Sequence, residues 1–448
     1  MARLGKHPIG LAVLAGTELA ERFSYYGMTA LLSLYMVKQL LLPGHAEHVI
    51  GLAGLRHLFE FRGPMSDQAF ASLIYGWYGG LVYFTPIAGG WVADRWLGKK
   101  ATVALGATLM AAGHLAMTFD ATFLLALLLL VLGSGALKGN ISAQVGTLYP
   151  PDAESLRARG FTIFSTGINI GAVLGPLATG ATAEASGFHA GFGIAAGLMM
   201  IALGVYLFGS RHLPDTRAAS AGKASLPPLT AEEKRRTWAL IGLIALTLFP
   251  NIAYPMIWNI GIIWIDGHVD LGTPLGAVPA SWFNSVDAFA SIVVAAPLVA
   301  LWSWQAKRGT EPGGLTKIAI GCAITGASAL LMAAGCLTAD ASGKLSVLWA
   351  LAGFFGMGVA FMWYWPITLT LVSQAAPAKV NSTMMGGAFL SLFAGTVIMG
   401  WVGSFYDTMS NTAFWTVDGA IAFAGTLVVL AVRRPLSRIL EPAEYRPD

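Results

Sequence analysis

Apolar windows separated by short polar breaks run the whole length of this chain. They lie near residues 9–41, 69–93, 100–119, 122–148, 160–183, 188–208, 237–265, 280–304, 315–338, 345–375, 384–405 and 413–432. Each holds about 20 residues or more, the length an α-helix needs to cross the hydrocarbon layer of a bilayer. The pattern predicts an all-α membrane protein of twelve transmembrane helices. Its clearest interruption is residues 209–236, where Arg211, Pro214, Asp215, Pro227, Pro228 and the run Glu232 to Arg236 replace apolar residues with polar and turn-forming ones. The expected organisation is therefore a six-helix bundle over 1–208, a cytoplasmic linker over 209–236 and a second six-helix bundle over 237–448. The connection at 43–68 is long, and Val49, Leu52, Leu55, Leu58 and Phe59 recur in it at helical spacing. That spacing predicts a short helix lying on the outer interface. His45, His48 and His57 share this connection without a cysteine or carboxylate cluster, so they read as solvated side chains and not as metal ligands.

Composition sharpens the class. The chain of 448 residues is 56% hydrophobic and 11% charged, with a mean hydropathy of +0.65, well away from soluble averages. Most of the 27 basic residues, among them Arg95, Lys99, Lys100, Arg211, Lys234, Arg235, Arg236, Lys307, Arg308, Arg433 and Arg434, fall on one side of a twelve-helix scheme. Arg56, Arg62 and Lys344 fall on the other. Positive residues are retained on the cytoplasmic side, which places both termini there. This bias accounts for the net charge of +4 and leaves no case for nucleic-acid binding. The first window is too long and too charged for a signal-peptide core, so it is expected to be retained. Cys322 and Cys336 would lie about 21 Å apart along one helix, too far to bridge. No HExxH or GxSxG pattern and no P-loop occurs, which argues against an intramembrane enzyme and against an ATP-driven pump.

Chemistry concentrates in the first window, in the run Glu18-Leu19-Ala20-Glu21-Arg22-Phe23-Ser24-Tyr25-Tyr26-Gly27. Each charge at the centre of a bilayer costs about 2.5–3.5 kcal/mol on insertion scales, so such residues pair and mark ion or solute routes. On a helix, Glu18, Glu21, Arg22 and Tyr25 fall within an arc of about 100°. One reading is a structural ion pair between Glu18 and Arg22 at i,i+4. It leaves Glu21 surplus and does not account for Lys138 in another helix. The other reading joins two carboxylates and two cations in one set whose protonation is decided jointly: a proton on Glu18 or Glu21 frees a cation to bind an anionic group. A second informative stretch, Gly89 to Lys100, has glycines for close helix approach, and Asp94 with Arg95, Lys99 and Lys100 can form an ion-pair latch between the second and third helices.

These motifs together resemble the proton-dependent oligopeptide transporter (POT) family of the major facilitator superfamily. The likeness rests on the complete ExxERFxYYG run at Glu18–Gly27, on Gly89-Gly90-Trp91-Val92-Ala93-Asp94-Arg95-Trp96-Leu97-Gly98-Lys99-Lys100, on Lys138-Gly139-Asn140, on Phe161 to Gly171 with Ser165 at an often aromatic position, and on Ala280-Ser281-Trp282-Phe283 and Ala376-Pro377. It implies a proton-coupled importer of di- and tripeptides or related zwitterions in a bacterial inner membrane. It needs no cofactor beyond the proton, works in the lipid bilayer, and is expected to be a monomer. Implied roles are proton coupling for Glu18, Glu21, Arg22 and Lys138, and substrate contact for Arg22, Tyr25, Tyr83, Lys138 and Asn169.

The second half departs from the family. Carboxylates expected in the seventh and tenth helices are replaced at Trp258-Asn259 and Phe361, and a family tryptophan is Ala388. Asp287 stands where an amide is usual, and is expected to bind a substrate amine or the coupling proton. Trp258, Trp363, Tyr364 and Trp365 are expected to form an aromatic wall, so Trp258, Asn259, Asp287, Phe361 and Trp365 complete the candidate substrate set. Two alternatives remain open: an atypical carrier of a non-peptide amine or drug-like solute working by proton antiport, and a membrane sensor that binds peptide without moving it.

Overall fold

The computed structural model describes residues 3–4, 7–150, 152–214, 228–274 and 276–441. Apolar windows become helices, and polar residues at their edges set the ends. The helices are α1 (Ile9–Tyr35), α2 (Leu52–Phe59), α3 (Asp67–Val92), α4 (Gly98–Ala116), α5 (Phe123–Thr147), α6 (Glu154–Ser186), α7 (Phe188–Gly209), α8 (Ala231–Leu246), α9 (Leu248–Ala253), α10 (Ile262–His268), α11 (Phe283–Ala306), α12 (Gly314–Cys336), α13 (Val347–Ala375), α14 (Asn381–Gly403) and α15 (Asn411–Leu440). Ser66 and Ser410 accept from backbone N–H groups at the starts of α3 and α15, and Thr230 with Glu233 forms a reciprocal capping box on α8, each satisfying donors that a helix start leaves open. The window at 237–265 is one interrupted element, α8 to α10. Pro255 lacks an N–H to continue the ladder, and the chain resumes through a π-helical turn at Ile257–Gly261.

Among the described residues, nine helical stretches are long and apolar enough to cross a membrane. They include neither α1, α3 nor α4. The reason lies in their side chains: α1 carries Glu18, Glu21 and Arg22, α3 is diluted by tyrosines and glycines, and α4 starts on Lys99 and Lys100.

The predicted short helix in the first long connection is α2. Arg56 on it reaches Glu60 at 3.0 Å and Asp67 at 2.7 Å, tying it to the start of α3. Of the expected linker, residues 215–227, with Asp215, Arg217, Lys223 and Pro227, lie outside the described residues.

Backbone contacts separate the chain into two compact units: Met1–Ala71 with Leu81–Lys223, and Ser72–Gly80 with Ala224–Asp448. In the first, α1 lies against α6 and α7, and α4 against α5 and α7. In the second, α12 packs on α13 and α15, and α11 on α13. The middle of α3 groups with the second unit, where Ser72 Oγ donates to Gly400 O at 2.9 Å and Trp77 meets Phe393 edge-on.

Candidate functional site

The first unit holds the charged cluster. Along α1 the run Thr17, Glu18, Glu21, Arg22, Ser24 and Tyr25 is buried, because α6 approaches that helix closely. At Gly171 of α6, a Cβ would stand 2.7 Å from Leu19 O and Phe23 N and 2.8 Å from Arg22 Cβ, so only glycine lets the two backbones meet there. Arg22 Nε donates to Glu18 Oε1 at 2.7 Å and lies 2.8 Å from Glu21 Oε2. The second contact is an ion pair without an aligned hydrogen bond, since neither Glu21 oxygen has a donor directed at it. Glu21 is therefore not surplus to the i,i+4 pair, as the spacing implied. It shares the same guanidinium.

Lys138 on α5 joins the two carboxylates and Arg22 in one electrostatically coupled set, without a direct ion pair of its own. Its Nζ lies 4.0 Å from the Tyr25 ring centre and 5.9 Å from that of Tyr83 on α3, and among the described residues no carboxylate lies within 4.0 Å of it. A cation over aromatic faces is held by the ring quadrupole without being neutralised. Asn140, two residues on, anchors α5 by donating to Gly89 O at 3.2 Å and Ala136 O at 2.9 Å, and Gly89 sits directly against the Gly135 carbonyl. Asn169 is not joined to this cluster. Gly167, Gly171 and Gly175 form the face of α6 that meets α1, and Asn169, on another face, is exposed.

The second unit gathers a different set. Asp287 on α11 is 3% exposed, and Tyr254 OH donates to its Oδ2 at 2.7 Å. Tyr254 is also the centre of an aromatic group: Phe361 stacks on it at 5.4 Å, Trp258 meets it edge-on at 5.2 Å and Tyr364 at 6.3 Å. Gly358 of α13 rests directly on the Asp287 carbonyl. Sequence reading missed Tyr254; its i,i+4 spacing to Trp258 was the available signal. The expected wall is split. Trp363 turns to Trp302 and Trp365 to Phe389, because alternate residues of one helix cannot share a face. Asn259, fully buried, donates to Ser72 Oγ at 2.7 Å beside Met399 Sδ, so its amide serves helix contact.

Near Gly89–Lys100 the expected latch is absent among the described residues. Asp94 is exposed, Arg95 lies over the Trp91 ring at 5.9 Å, and Lys100 donates to Leu213 O at 3.3 Å. Gly98 turns the chain at φ 74°, a conformation glycine adopts without steric cost. His45 is not simply solvated. It contacts Asp120 Oδ2 at 2.6 Å, while His189 and Tyr35 OH meet Oδ1 at 2.7 and 2.6 Å. Among the described residues no group of His, Cys, Asp and Glu is arranged to hold a metal ion.

Comparison with known proteins agrees with this architecture. The profile of the POT family matches residues 100–224 and 229–419. A di-/tripeptide transporter of Lactococcus lactis subsp. cremoris is 28% identical over an alignment of 504 positions, covering 97% of this chain and 96% of that protein. The peptide transporter YePEPT of Yersinia enterocolitica is 26% identical over 514, covering 97% and 95%. Among solved structures, a POT peptide transporter in complex with alafosfalin superposes with a TM-score of 0.85 at 27% identity, over 98% of this chain and 97% of that one. With the profile matched over most of its length and its helices laid out as in solved members, the chain belongs to the POT family.

Proposed function

We propose that this protein is a secondary transporter that imports di- and tripeptides, or closely related zwitterions, together with protons across a bacterial inner membrane. It would do so as a monomer of twelve transmembrane helices in two halves, 1–208 and 237–448, with both termini cytoplasmic, working by alternating access. The two peptide transporters named above span nearly the same length, which supports the substrate class. The observation that carries the coupling is the single guanidinium of Arg22, 2.7 Å from Glu18 and 2.8 Å from Glu21. One cation cannot fully compensate two buried carboxylates, so the surplus negative charge draws a proton. Protonating Glu21 releases Arg22 toward a substrate carboxylate, and Lys138 over Tyr25 and Tyr83 offers a second, uncommitted positive charge. Proton and peptide then each favour the state that binds the other, a reciprocal coupling. Asp287, held by Tyr254 among Trp258 and Phe361, would receive the substrate amine.

Those aromatic neighbours, standing where carboxylates were expected, also favour a second reading: a carrier of non-peptide amines. Proteoliposomes separate the two. Radiolabelled dipeptide should exchange in counterflow and accumulate when the outside is made acidic, and Glu21→Gln should lose the response to the gradient while eluting as a folded monomer. Exchange supported by amines but by no peptide would establish the second reading. Accumulation by Glu21→Gln equal to that of the parent would remove the proton role assigned to that cluster.

A further inference from the structure

Asp418 is a buried carboxyl-bearing residue that nothing above employs. It sits in α15, seven residues from Asn411 and fifteen from Arg433, or about 10 and 22 Å along the helix at 1.5 Å per residue. It is 0% exposed, and neither carboxylate oxygen has a hydrogen-bond partner. Its neighbours along the helix are Phe414, Trp415 and Ala422, all buried. On the facing side α12 comes close: a Cβ at Gly419 would stand 3.1 Å from Gly326 O and 3.1 Å from Leu330 Cγ.

No compensating charge reaches it. On α12 the titratable groups are Lys317, engaged by Glu311 and lying 4.1 Å over the Trp302 ring, with Cys322 and Cys336. On α9 there is none, and its Asn251 donates to Ser391. On α10, whose Trp264 meets Trp415 at 5.4 Å, they are Asp266 and His268. On α8 they lie at Glu232–Arg236, and on α15 itself at Arg433, Arg434 and Arg438, toward the opposite ends of those helices. None bonds to either oxygen of Asp418.

A carboxylate without donor or cation is not sustained in such surroundings, so the group there is the neutral acid. Asparagine or serine would supply neutral polarity equally well. An acid differs from both in one respect: it can give up its proton and take it back. Two further buried polar groups lie toward the start of α15. The Trp415 indole N–H, three residues away, and the Tyr406 hydroxyl, whose ring meets Phe414 at 5.1 Å, are buried without a hydrogen-bond partner, and Asp407 beside Tyr406 is exposed.

We propose that Asp418 is a second proton-binding site, within the second unit and separate from the Glu18–Glu21–Arg22 cluster. It holds one proton as a carboxylic acid, gives it up to water and takes it back once per transport cycle. The inference rests on the proton-coupled reading above. The test is gradient-driven accumulation in proteoliposomes by the parent and by Asp418→Asn, which keeps shape and neutrality but cannot release a proton. Losing one coupled proton should lower the maximal accumulation ratio about tenfold for each unit of pH gradient. Equal accumulation by the variant overturns the proposal and leaves the peptide symport reading standing. A parent that ignores the gradient sinks both. Because the variant can fail to fold, the parent is also treated with a lipid-soluble carbodiimide, which couples to protonated carboxyls, and its peptides are mapped by mass spectrometry. An adduct on Asp418 whose yield falls as pH rises is expected; no adduct, or a yield indifferent to pH, rejects the site.

Discussion

Arg22 meets two carboxylates through one nitrogen, and that economy makes the cluster responsive. Removing one partner of a buried pair typically costs about 3–5 kcal/mol because a charge is left uncompensated, so adding or withdrawing a proton at Glu21 changes what Arg22 can hold. Tyr254 plays the matching part for Asp287, donating at 2.7 Å. Tyr254→Phe keeps the ring and deletes that donor, and should destabilise the protein by about 1–3 kcal/mol. Asp287→Asn should cost less in the Tyr254→Phe background than alone, since both touch one bond. Thermal unfolding of the single and double variants in detergent measures this, and strictly additive losses would deny the bond its role. Glu18, Glu21 and Arg22 were legible because charge inside an apolar window is conspicuous. Tyr254 was not, because an uncharged aromatic in a membrane helix announces nothing until its neighbours are known.

Helices bring these residues together through seams of small residues. At Gly171 any side-chain carbon would press on the backbone of α1 beside Arg22, whereas at Gly139, one residue after Lys138, a Cβ would meet nothing within 4 Å. Gly171→Ala should therefore cost about 1–3 kcal/mol through overpacking. Gly139→Ala should be neutral or gain up to about 1 kcal/mol from helix propensity. Melting curves of the two variants decide it, and equal effects would mean that the seam is not tight. The motif glycines could be read from the sequence, but which helix each one faces could not. In the same way, the stretch Trp363-Tyr364-Trp365 reads as one aromatic wall, yet a helix turns about 100° per residue and sends the three rings to different partners.

Across the whole molecule, the set of helices that cross the membrane fixes the topology. Nine stretches qualify by length and apolarity among the described residues, while α1, α3 and α4 carry the charges, tyrosines and lysines that lower their mean hydropathy. In all three the residues that lower the mean hydropathy stand within helices of spanning length, so the twelve-helix scheme predicts that these three also span. In a background with Cys322 and Cys336 replaced by serine, Ser342→Cys should react with an impermeant maleimide from outside intact cells. Glu232→Cys should react only after permeabilisation. Reaction of both from the same side would refute the orientation inferred from basic residues.

Helix positions, the all-α membrane class and the location of the ionisable run were determined by the sequence itself, because the bilayer imposes length and apolarity on each segment separately and exceptions stand out locally. Which polar groups meet was decided only by tertiary structure. Glu21 sharing Arg22, Lys138 resting on Tyr25, His45 on Asp120, Asp287 held by Tyr254 and Asp418 left alone all depend on helix rotation and on how closely backbones approach. Those are set by side-chain packing between segments far apart in the chain, which no local pattern encodes.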